Sequence, residues 1–76
     1  MDKNWQNVRA LLQKELGAGV FNNWMGSLHY INCEEGKVTF HVPSSFIANW
    51  IETNYSEIIK KLFRKEGLNV DTLSFE

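Results

Sequence analysis

The side chains that could do chemistry in this chain are few: His29 and His41, Cys33, the pair Ser44 and Ser45, and the cations Lys60, Lys61, Arg64 and Lys65. A histidine near a serine invites a base and nucleophile reading. Ser44 and Ser45, however, follow Pro43 and stand just ahead of an apolar helical pattern, where helices take serine as an N-cap. His29 and His41 fall on the two arms of an expected β-hairpin and could face each other as metal ligands. No third ligand at a suitable spacing accompanies them, and they read as solvated strand histidines. Cys33 is the only cysteine and has no basic neighbour in sequence to activate it as a thiolate, so it reads as inert. Gly17-Ala18-Gly19 follows a helical pattern and not a strand, which removes it from the P-loop and Rossmann classes. The cations suit a helix C-terminus, where they offset the macrodipole, and Glu57 is spaced to pair with Lys61 at i, i+4. Their functional reading is a weak phosphate or acidic-partner contact through Lys60, Lys61 and Arg64. No catalytic residue, cofactor or metal is expected.

The elements that position these groups are legible from periodicity. Trp5, Val8, Leu11, Leu12 and Leu16 recur at helical spacing, so residues 3–16 read as an amphipathic helix, with Asp2 and Asn4 as candidate caps and Gly17 as its stop. Val20, Phe21, Trp24, Met25 and Leu28 share one face of a second, shorter helix. Residues 28–33 and 37–42 read as strands joined by a turn at Glu34-Glu35-Gly36, with Val38, Phe40 and Val42 on the apolar face and His41 on the other. A long helix follows Pro43 and keeps one phase from Ile47 to Phe63, ending near Glu66 and Gly67. Residues 68–75 alternate as a last strand joining the hairpin. The expected fold is α+β, a compact α-α-β-β-α-β domain over residues 1–76 with a three-stranded sheet packed against helices.

With 76 residues, 8 Lys plus Arg, 9 Asp plus Glu and a net charge of −1, the chain reads as one small domain, too slightly charged for strong autonomous nucleic-acid binding. The aromatic content of 13% and single proline argue for an ordered core. No signal-like or membrane-spanning run is present in the sequence, and one cysteine supplies no disulfide, so a reducing, cytoplasmic setting is expected.

Trp24, Phe40, Trp50 and Leu62 are expected in the core. Phe46 breaks the phase of its helix by about 160° and should look outward. It either staples onto Pro43 or the second strand, or anchors a partner. Trp5 is in phase with its helix yet occupies the first turn, so core and interface readings both stand for it.

The combination of Phe21-x-x-Trp24, then Val42-Pro43-x-x-Phe46-x-x-x-Trp50-Ile51, then Tyr55, with Trp5, Leu11, Leu16, Ile59 and Leu62, resembles the N-terminal domain, domain I, of the bacterial replication initiator DnaA. The resemblance covers nearly the whole chain, through Phe75. It implies a KH-like α/β shape and a noncatalytic role in protein contacts: weak self-association, recruitment of the replicative helicase DnaB, and docking of initiation regulators. Trp5 matches the tryptophan tied to self-association, and Phe46 the aromatic tied to helicase contact. Some members carry an acidic residue of that helicase and regulator surface where Val20 stands here. The KH Gly-x-x-Gly loop is absent between the first two helices. The competing reading is a KH-like binder of single-stranded nucleic acid that stacks bases on exposed aromatics and holds phosphates at Lys60, Lys61 and Arg64.

Overall fold

The first fourteen residues described, Lys3–Leu16, form helix α1, which buries Val8 and Leu12. The computed structural model describes residues 3–76, so the expected cap at Asp2 lies outside the described residues. Gly17 ends α1 with a φ of 85°, a value that suits glycine, and its N–H still reaches the Gln13 carbonyl. A short helix α2, Ala18–Val20, then widens into a π-helical turn over Phe21–Met25. The expected α-helical face therefore does not hold. With i→i+5 bonding each residue advances through a smaller angle than in an α-helix. Phe21 and Met25 both point into the core, while Trp24 between them stays half-exposed.

Strands β1 (His29–Glu34) and β2 (Lys37–His41) pair antiparallel around a turn in which Glu35 and Gly36 both have positive φ, 50° and 79°, as a two-residue type I′ turn requires. The register shifts between Tyr30 and Asn32, leaving Ile31 as a bulge with 43% of its surface exposed. Strict alternation would send Tyr30 and Cys33 to opposite faces. The extra residue lets both turn inward, opposite Phe40 and Val38.

Helix α3 runs unbroken over Ser45–Lys65. Ser44 caps it, its hydroxyl accepting from the Ile47 N–H at 3.1 Å. At the other end Gly67, φ 87°, donates to the Arg64 carbonyl while Leu68 donates to Phe63, the paired bonds of a Schellman motif. Strand β3 is shorter than expected, Thr72–Phe75, and adds parallel to β2, making the order β1-β2-β3. A parallel neighbour demands a long crossover, which α3 supplies. Leu68 and Val70 pack inward from the connecting loop rather than from a ladder; Val70 is fully buried.

The core lies between the sheet and the helices, centred on Val8, Leu12, Phe40, Ile51, Leu62 and Phe63. Phe40 and Leu62 sit there as expected, but Trp50 does not: it is 40% exposed. The helical arithmetic that singles out Phe46 also sets Trp50 roughly 120° from the centre of the buried stripe, and its size concealed this. Phe63→Ala should cost about 3 to 5 kcal/mol and Trp50→Ala distinctly less, a difference that urea denaturation of the two variants will measure.

Candidate functional site

Among the described residues no polar or charged residue is buried, and the surface is marked instead by large apolar side chains: Val20, Ile31, Phe46 and Trp50. Phe46 is the most exposed of these at 66%. It occupies the first full turn of α3, and Trp50 follows one turn later on the same outward side. Trp24 reaches across from the π-helical turn and stacks on Trp50, ring centroids 4.9 Å apart and planes 19° from parallel. It also meets Phe46 at 6.1 Å. The Phe46 ring thus meets Trp24 of the π-helical turn, a neighbour that neither the staple onto Pro43 or the second strand nor the partner anchor had named, and it stays exposed. The Asn54 amide donates to the Trp50 carbonyl at 3.0 Å, fastening the α3 backbone below the patch. Val20 is exposed four residues ahead of Trp24 on the same winding segment. The three rings form one surface, which the sequence reading missed because it assigned two of them to the core. The signal that could have found it is the shared offset of Phe46 and Trp50 from the buried stripe.

Trp5 is built into the opposite arrangement. Its ring stacks on Tyr30 and Phe63 at 5.9 and 6.1 Å and meets Phe40 edge-on at 5.0 Å. It remains half-exposed and borders an open groove of about 830 Å³ whose other walls include Gln6, Arg9, Leu28, Tyr30 and Ile31. Arg9 also lies over the Phe21 ring at 5.0 Å.

The cations are arranged differently from the expected pattern. Glu57 pairs with Lys60 at 3.2 Å, one residue short of Lys61, both spacings being neighbours on a helix. The Arg64 Nε donates to the Val70 carbonyl at 3.0 Å and so holds the end of α3 to the loop before β3. Lys61 is exposed. The structure does bring His29 and His41 directly opposite each other on β1 and β2. Ser44 and Ser45 open α3, Ser44 with its hydroxyl turned to the backbone as a cap, and Cys33 is half-buried opposite Val38. Among the described residues no group of three metal-ligating side chains is assembled, and no helix is long and apolar enough to cross a membrane.

A three-stranded sheet crossed by one long helix, with a helix pair on its flank and an aromatic patch between them, defines an α+β domain whose most distinctive surface is apolar. Over residues 2–65 the sequence matches the family described as DnaA N-terminal domain, and the chain belongs to that family. It is 33% identical over 75 residues to a chromosomal replication initiator protein DnaA of Ruegeria sp. (strain TM1040), covering 99% of this chain and 16% of that protein. The protein of the same description from Wolbachia sp. subsp. Brugia malayi (strain TRS) is 29% identical over 72 residues, 95% of this chain and 16% of its own length. That of Mesorhizobium japonicum is 29% identical over 75 residues, 99% of this chain and 15% of its own. The chain thus spans about a sixth of the length of these relatives.

The two tryptophan environments make opposite claims about stability. Trp5→Ala removes three ring contacts and should destabilise the domain by about 3 kcal/mol, whereas Phe46→Ala should stay within about 0.5 kcal/mol of the wild type. Chemical denaturation of both variants checks the pair.

Proposed function

We propose that this domain is a noncatalytic interaction module of a chromosomal replication initiator, and that the patch of Phe46, Trp24 and Trp50, extended by Val20, is its contact for the replicative helicase DnaB or for regulators of initiation. The observation that carries the reading is the exposure of Phe46 beside Trp24, which is itself stacked on Trp50. Interface anchors are enriched in large rings seated on an already packed base, where burial on binding yields the most apolar area. The relatives' description as replication initiators supports the setting. Nucleic acid fits the patch less well. Asn49, Thr53 and Glu57 flank it along α3, and two of the three candidate phosphate contacts are engaged, Lys60 by Glu57 and Arg64 by Val70.

Trp5 and the groove beside it serve weak self-association in this reading, with an affinity on the order of micromolar or poorer, as a small patch allows. Several initiators on one origin would raise the effective concentration enough to make such a contact useful.

Binding of the purified domain to its cognate replicative helicase, measured by surface plasmon resonance, tests the first part. Phe46→Ala should weaken binding by at least about tenfold, as loss of an anchor ring does, with an unchanged melting temperature. Equal binding by the variant overturns the helicase contact, and a tighter, salt-dependent affinity for single-stranded oligonucleotides moves the patch to nucleic acid. Sedimentation equilibrium tests the second part with Trp5→Phe, which keeps a ring in the cluster but shortens its exposed edge. The variant should associate more weakly while melting near the wild-type temperature.

A further inference from the structure

His29 and His41 are Cα partners in the β1–β2 ladder, so their side chains leave the same face of the sheet. That face is the one turned away from the core, because the adjacent pair Tyr30 and Phe40 points inward. Both histidines are exposed, their ring centroids are 6.3 Å apart, and the planes are tilted by 37°. Each ring has the other as its side-chain partner among the described residues. The third strand continues the row. The Glu76 N–H donates to the Phe40 carbonyl at 2.9 Å and the Val42 N–H to the Glu76 carbonyl at 3.1 Å. This is the bonding of a parallel bridge that places Glu76 beside His41.

We propose that His29 and His41 form a cross-strand chelate for a divalent transition ion of the Zn²⁺, Ni²⁺ and Cu²⁺ group. Imidazole nitrogens suit these ions, and metal–nitrogen bonds of about 2.0–2.1 Å bring two rings on a tetrahedral ion to centroids roughly 5 Å apart. Small rotations of two exposed rings cover the remaining distance of about 1 Å. The sheet fixes the spacing of the Cβ atoms, so the two ligands arrive in place with the fold. Two imidazoles supply the protein ligands, and water fills the remaining positions on the ion. Glu76, in the same row, adds negative charge that favours the cation. In the unfolded chain the two histidines are independent, so chelation holds the open end of the hairpin and stabilises only the folded state.

Thermal melts of the domain with and without Zn²⁺ alone, on the wild type, His29→Gln and His41→Gln, test the site. Zn²⁺ should raise the wild-type melting temperature and leave both variants unmoved, and calorimetric titration should show affinity falling by about tenfold or more in each. An amide NMR titration of the wild type, independent of any variant's stability, should confine the shifts to the start of β1 and the end of β2. A wild type that Zn²⁺ does not stabilise, a single variant that keeps the full rise, or shifts centred elsewhere overturns the chelate.

Discussion

The fold depends on the place where the Trp5 ring meets Tyr30, Phe40 and Phe63. Those four residues come from α1, β1, β2 and α3, and Phe75 of β3 joins through its stack on Phe40 at 5.9 Å. A domain of this size buries only about 60% of the surface its unfolded chain exposes. It therefore relies on side chains that contribute most area per residue, and aromatic rings do so while adding pair geometry worth about 0.5–1.5 kcal/mol per contact. The rest of α1 is tied down around this point. Asn7 donates to the Glu66 carboxylate at the far end of α3 at 2.9 Å, and Arg9 covers Phe21. The helix that carries Trp5 is thus the element that closes the core.

The aromatic residues fall into two sets with different work. The Trp5 set is shared among five elements and is structural first; only its outer edge is available to a partner. The Trp24, Phe46 and Trp50 set joins just two segments and leaves Phe46 and Trp50 exposed and Trp24 half-exposed. The π-helical turn separates the sets. By turning Phe21 and Met25 inward it releases Trp24 to the flank of α3, where Trp50 waits to receive it.

Periodicity made α1, the hairpin and α3 legible in the sequence, and local chemistry placed their ends: glycine where φ is positive at residues 17, 36 and 67, and serine where α3 needed a cap. The features that escaped it depend on non-local packing. Nothing in Phe21-Asn22-Asn23-Trp24-Met25 distinguishes π from α winding, since the two place apolar residues at nearly the same intervals. The bulge at Ile31 escaped the expected period-two pattern. Leu-His-Tyr-Ile-Asn-Cys keeps strict alternation in neither register, since one puts Asn32 and the other His29 among the apolar residues, and the register shift after Tyr30 is what lets Tyr30 and Cys33 both turn inward. Trp50 was misplaced by its residue type, because a tryptophan in a helical pattern reads as core even where the phase sets it at the margin. Phe46, the outlier that phase alone identifies, stands where the sequence puts it.

The pre-stacking of Trp24 on Trp50 bears on how a small surface can bind at all. Association loses rotational and translational freedom, and each side chain immobilised at the interface adds about 0.5–1.5 kcal/mol to that loss. Two large rings already held against each other at 4.9 Å have given up most of their freedom before a partner arrives. Phe46, at 6.1 Å from Trp24 and open on its other sides, is left as the main side chain still to be ordered. The same stack shields part of each indole from water, so the free domain shows less apolar surface than three separate rings would. What such a patch offers is fixed geometry more than area, and removing its most exposed ring leaves the Trp24–Trp50 stack beside it intact.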